Sequence, residues 1–155
     1  MNRITVLLAD DQMLFVESLK MVIGARARDI EVVGIARNGK EAIALVEQRP
    51  PDVLLMDVRM PVLDGVEAAR HIHESHPQVR IIMLTTFDDD DYVHNALHHG
   101  AVGYLLKDIL PSELISAIRA AKDGAAMVSP AIISKLVEHR SGRAPEQSTP
   151  PRPGT

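Results

Sequence analysis

Residues Val53–Gly65 read VLLMDVRMPVLDG. Four apolar residues, Val53 to Met56, run on without in/out alternation and stop at an acid, Asp57. A short apolar run bounded by turn residues, here Pro61 and Asp64-Gly65, fits a strand buried on both faces of a parallel sheet. Runs of the same kind lie on either side, at Ile4–Ala9, Ile30–Ala36, Val79–Leu84 and Val102–Leu106. Helical spacing fills the intervals. In Lys40–Glu47, Ala42, Ile43, Leu45 and Val46 alternate with charged residues, and in Ser112–Lys122, Leu114, Ile115, Ile118 and Ala121 form one stripe. Asn38-Gly39 reads as the opening of one helix, Pro111-Ser112 as the start of another, and Gly100 as the close of a third. The order is βα repeated five times, which calls for an α/β fold with a parallel sheet and helices on both faces. Right-handed crossovers then bring the C-terminal ends of all the strands to one edge.

Composition sets the class. The chain has 155 residues, 46% apolar and 25% charged, the balance of one globular domain. Aromatic residues are only 3%, so the core must come from Leu, Ile, Val, Ala and Met, including Met13, Met21, Met56, Met60 and Met83 as core or loop filler. The absence of cysteine excludes disulfides, thiolate metal sites and cysteine nucleophiles. No apolar run is long enough to span a bilayer and MNRITVLLADD turns acidic too early for a secretory signal, so a cytoplasmic protein is expected. A net charge of −4 argues against this segment itself holding nucleic acid. One folded domain is expected over 1–124. A short helix and the start of a linker follow over 125–140, where Ile132, Ile133, Leu136 and Val137 share a face. A Pro-rich flexible linker (SGRAPEQSTPPRPGT) occupies 141–155.

The polar residues at the strand ends carry the chemistry. Asp10 and Asp11 follow the first strand, Asp57 the third, Thr85 and Thr86 the fourth and Lys107 the fifth. In open α/β sheets, ligands bind outside that edge. Three acids brought together repel one another and demand a cation. A hard dication such as Mg²⁺ suits an all-oxygen set, and Lys107 supplies a point charge for a phosphoryl oxygen. A carboxylate so placed is a nucleophile toward phosphorus. Taken singly, each residue has a plainer reading: paired Asp as a turn and helix cap, Asp57 as a loop acid, Lys107 as a solvated charge, Thr85 as an ordinary strand residue. The coincidence at four strand ends favours the shared site. Asp88–Asp91 lacks the spacing of a calcium loop and reads as the acidic start of a helix, and the pair His94 and His98 as a solvated face without a third zinc ligand.

Four segments, Ile4–Asp11 (ITVLLADD), Val53–Gly65, Ile81–Thr86 (IIMLTT) and Gly103–Asp108 (GYLLKD), together resemble the signature segments of response-regulator receiver domains, a likeness that runs from about Ile4 to Gly124. The resemblance implies a doubly wound, flavodoxin-like five-stranded sheet of order 2-1-3-4-5. It implies Asp57 as phosphoacceptor and Asp10, Asp11, Asp57 and the backbone carbonyl of Arg59 as Mg²⁺ ligands. Thr85 matches the hydroxyl and Lys107 the ammonium that engage the phosphoryl group. Thr86 would offer a backbone N–H to it, and Tyr104 matches the aromatic switch residue. LTTFDDDDYV, GAVGYLLKD and MVSPAIISKLV are similar to the LuxR-type (NarL/FixJ) regulators, in which a helix-turn-helix domain follows the linker.

The resemblance thus implies a sensor histidine kinase as partner, a homodimer on activation and DNA binding through a C-terminal domain that this sequence lacks, a chain cut after its receiver being the preferred explanation. It implies no membrane contact and no turnover enzyme beyond slow loss of its own phosphoryl group. Two positions stand out. Receivers often carry a cis proline after the lysine, where this chain has Asp108, and Arg59 is expected to face the site and affect phosphoryl lifetime. Among rivals, an aspartate-nucleophile phosphatase is opposed by Arg59, which stands where such enzymes carry a second acid. A degenerate, binding-only receiver is opposed by the intact polar set, and a dinucleotide-binding domain by the lack of G-x-G-x-x-G after the first strand.

Overall fold

A computed structural model of the chain describes residues 3–85 and 103–124, and the backbone of 127–128. The expectations for Thr86, Asp88–Asp91, the His94/His98 pair, the Gly100 cap, the helix within 125–140 and the linker 141–155 fall outside these residues. The described elements are β1 (Ile4–Ala9), α1 (Met13–Arg26), β2 (Ile30–Ala36), α2 (Gly39–Gln48), β3 (Val53–Asp57), α3 (Gly65–Ser75), β4 (Arg80–Thr85), β5 (Gly103–Leu106), α4 (Pro111–Lys122) and β6 (Met127–Val128).

The strands form one parallel sheet in the order β2-β1-β3-β4-β5-β6, which contains the expected order 2-1-3-4-5. The sixth strand adds to that expectation: Met127 and Val128 pair with Gly103 and Tyr104, so the sheet continues past Gly124. Strands β3 and β5 are buried at every position, as the apolar runs Val53–Met56 and Tyr104–Leu106 require, and in β3 the burial extends to Asp57. One side of the sheet packs Leu54, Met56, Ile81 and Met83 against Ala42 and Val46 of α2 and Ala69 and Ile72 of α3. The other packs Val53, Leu55, Ile82 and Leu84 against Val16, Leu19 and Ile23 of α1 and Leu114, Ile118 and Ala121 of α4. Met56 and Met83 are fully buried and Met60 nearly so, but Met21 is 74% exposed, a correction to its reading as filler. It lies on α1, which also exposes Leu14, so its apolar residues do not confine themselves to one face.

Register fixes where the strands end. Ala9 pairs with Met56, Asp57 with Leu84, and Thr85 with Leu106, so the residues that follow emerge together. No cis peptide occurs among the described residues, so Lys107–Asp108 is trans. No described helix is long and apolar enough to cross a membrane.

Candidate functional site

Backbone hydrogen bonds tie three described loops at this edge to neighbouring strand ends. Asp10 N–H donates to the Ala36 carbonyl (2.9 Å), Val58 N–H to Leu84 (3.1 Å) and Lys107 N–H to Thr85 (2.8 Å). The loop after Asp57 is folded back by Gly65, whose N–H donates to the Val58 carbonyl at 2.9 Å. Asp64 caps α3 by accepting from Glu67 N–H at 2.9 Å, so the Asp-Gly pair is a helix cap and a close-packing point as well as a turn.

On this frame Asp10, Asp11 and Asp57 each offer a carboxylate oxygen, all within 4.8 Å of one another. Asp10 and Asp57 are buried and Asp11 is exposed, so the trio opens to solvent on one side. Lys107 Nζ stands 2.8 Å from Asp10 Oδ2 and 3.7 Å from Asp57 Oδ2. The contact with Asp10 is an ion pair; Oδ2 gains no aligned hydrogen bond from it. Asp10 Oδ1 accepts from the backbone N–H of Gln12 at 2.9 Å.

Charge is under-compensated here. Burial first, and the neighbouring Asp10 second, push the Asp57 carboxyl up to about 6, against the opposing pull of Lys107 and a backbone hydrogen bond from Arg59. One lysine thus does not balance three acids. Clustered carboxylate oxygens with one open, wet side are a donor set suited to a hard divalent cation that keeps several waters.

Thr85 ends β4 fully buried, and Tyr104 lies fully buried on β5 within the core that faces α2 and α3. Arg59 is exposed. The structure therefore brings Asp10, Asp11, Asp57 and Lys107 into direct proximity and sets Thr85 at the adjoining strand end, while Thr86 lies outside the described residues. Two contributors carry no motif of their own. The Gln12 side chain accepts a hydrogen bond from Lys107 Nζ, and the Phe15 ring lies under that ammonium with its centroid 4.6 Å away. The one sequence signal for Gln12 is its place before α1, where Ser, Thr, Asp or Asn is the usual cap.

Comparison with known proteins gives the family and the fold it shares. Residues 6–119 match the model of the response regulator receiver domain. The uncharacterized transcriptional regulatory protein YxjL of Bacillus subtilis (strain 168) is 47% identical over 147 residues, which cover 95% of this chain and 66% of that protein. The transcriptional regulatory protein DegU of Brevibacillus brevis is 38% identical over 88% of this chain and 58% of its own length. The chain thus spans roughly 58–66% of these relatives. Among solved structures, a LuxR-family two-component response regulator from Aurantimonas sp. SI85-9A1 superposes with a TM-score of 0.82 at 31% identity, covering 90% of this chain and 99% of that one. The receiver domain of the response regulator NarL from Mycobacterium tuberculosis gives 0.75 at 31% identity, over 80% and 99%.

Proposed function

The chain belongs to the response-regulator receiver family, a signalling domain of two-component systems, and from that premise we propose that Asp57 accepts a phosphoryl group from a partner sensor histidine kinase. An Asp57 carboxylate oxygen attacks the phosphorus of a phosphohistidine, an O–P bond forms, the P–N bond breaks, and its electron pair returns to the imidazole. The observation that carries this reading is the gathering of Asp10, Asp11 and Asp57 within 4.8 Å, with the Lys107 ammonium 3.7 Å from Asp57.

Asp10, Asp11, Asp57 and the backbone carbonyl of Arg59 would hold Mg²⁺, which when bound supplies positive charge against the phosphoryl oxygens. Lys107 pairs with one of those oxygens, Thr85 donates its hydroxyl to another, and Thr86 offers a backbone N–H. Movement of Thr85 toward the phosphoryl group couples to Tyr104, giving a two-state surface whose equilibrium the modification biases. The Arg59 side chain governs water access and so the lifetime of the acyl phosphate. The output is homodimerisation and DNA binding through a domain outside this chain, in the cytoplasm.

The test is incubation with a small-molecule phosphodonor and Mg²⁺, followed by intact mass. One added phosphoryl group that is absent from Asp57→Asn supports the reading. An unmodified parent, or equal modification of the variant, ends it.

A further inference from the structure

Lysine carries three N–H donors and no acceptor, and it points them at whatever oxygen is nearest. Around the Lys107 ammonium those oxygens are Asp10 Oδ2 at 2.8 Å, Gln12 Oε1 in hydrogen-bond contact and Asp57 Oδ2 at 3.7 Å. The ammonium is therefore held to the α1 side of the site, within ion-pair range of Asp57 but beyond hydrogen-bond length. Gln12 contributes twice. Its backbone N–H fixes Asp10 Oδ1 at 2.9 Å, which aims Oδ2 toward Lys107, and its side-chain oxygen accepts a lysine proton. The amide is free for this because, although Gln12 is the residue before α1, its side chain makes no capping hydrogen bond. The Phe15 ring closes the ammonium's other side.

From this geometry we infer that Gln12 is a positioning residue, which holds the Lys107 ammonium off Asp57 and so leaves the Asp57 carboxylate open to a divalent cation and to a phosphoryl group. Without the Gln12 oxygen, the lysine proton it accepts turns to the two carboxylates in reach, Asp10 Oδ2 at 2.8 Å and Asp57 Oδ2 at 3.7 Å. Lys107 then closes on the carboxylates that the cation needs, and the two positive charges compete for them. The neutral amide matters: it occupies the ammonium without adding negative charge. This inference rests on the reading of Asp10, Asp11 and Asp57 as a divalent-cation site.

The experiment is calorimetric titration with Mg²⁺ alone on the full chain. Gln12→Met keeps the length of the side chain and removes the acceptor. Gln12→Ser cannot reach Lys107 but caps α1 well, which separates lysine positioning from helix stability. Both variants should bind Mg²⁺ more weakly, by about fivefold, the worth of one hydrogen bond redirected to the competing carboxylates. In a Lys107→Met background the same Gln12 substitutions should leave the Mg²⁺ affinity unchanged, because Gln12 acts through the lysine. Parent-like affinity in Gln12→Met and Gln12→Ser, or an equal loss in the presence and absence of Lys107, overturns the inference. No Mg²⁺ binding by the parent overturns it together with the site reading beneath it.

Discussion

Gly65 packs so closely on Asp57 that a Cβ at Gly65 would stand 2.0 Å from the Asp57 carbonyl oxygen. No L side chain fits that space, and the obstacle is backbone, which cannot swing aside. Gly65→Ala must therefore push β3 and the start of α3 apart, at a cost of about 2–3 kcal/mol, the range for overpacking a dense interior. Gly24, in α1, has nothing within 4 Å of its own Cβ position. Gly24→Ala should stabilise by roughly 0.5–1 kcal/mol through helix propensity alone. Urea unfolding of the two variants checks both signs. A Gly65→Ala protein as stable as the parent would mean that Asp57 is not clamped by the loop that follows it.

Asp57 titrates in the folded protein at about 6, above its ordinary value of 3.8. Between those values the folded chain holds a proton that the unfolded chain releases. Its contribution is therefore complete below about pH 4, declines as pH rises, and is gone above about pH 6. Without divalent cations, Asp57→Asn should exceed the parent in stability by roughly 2–3 kcal/mol at pH 7.5, with the gap closing near pH 4. Mg²⁺ should narrow the gap at pH 7.5 by stabilising the parent alone. Denaturant unfolding in a chelator at the two pH values measures this, and parallel pH profiles for the two proteins would contradict it.

Much of this was legible from residue order, for a physical reason. Strands buried on both faces need unbroken apolar runs, and parallel connection needs intervening helices, so VLLMD, IIMLT and their neighbours announce the sheet and its polar edge together. Three features were not legible. Met127–Val128 is too short a strand to show a period. The buried face of α1 is hidden because Leu14 and Met21 are apolar yet exposed. The hold of Gln12 on Lys107 joins residues 95 positions apart through two flexible side chains, and no spacing rule reaches that far.

At the opposite end of the sheet, Asp52 ties three elements together. Its carboxylate accepts from Thr5 N–H at 2.9 Å and from Lys122 Nζ at 2.8 Å, while its own N–H donates to Thr5 Oγ1 at 2.9 Å. Burial works against its ionisation, but the lysine and the Thr5 donors outweigh it and hold the carboxyl below the ordinary range. This contribution has the opposite sign to that of Asp57: it is present above about pH 4 and disappears as acid protonates the group. Asp52→Ala should cost about 1–2 kcal/mol at pH 7, mostly from the unmet Thr5 N–H, since the exposed ion pair with Lys122 is screened. Lys122→Met should cost under about 1 kcal/mol. Equal losses in the two variants would shift the weight to the ion pair.

Val62 sits in the loop between Asp57 and α3 with φ of 70, and Leu63 N–H donates across it to the Pro61 carbonyl at 2.7 Å. A β-branched residue at positive φ is strained by about 1–2 kcal/mol, and Val62, 76% exposed, recovers little of that by packing. Glycine removes the strain and gives back part of the gain as extra freedom in the unfolded chain. Val62→Gly should therefore stabilise by about 1 kcal/mol or slightly less, and Val62→Asn, which tolerates the left-handed region, should fall between glycine and the parent. Val62→Ala keeps a Cβ and should change little. Urea midpoints for the three variants give the order directly. If glycine proves the least stable of them, as it is at ordinary exposed positions, the loop does not hold the left-handed turn that carries the chain from Asp57 back to Gly65.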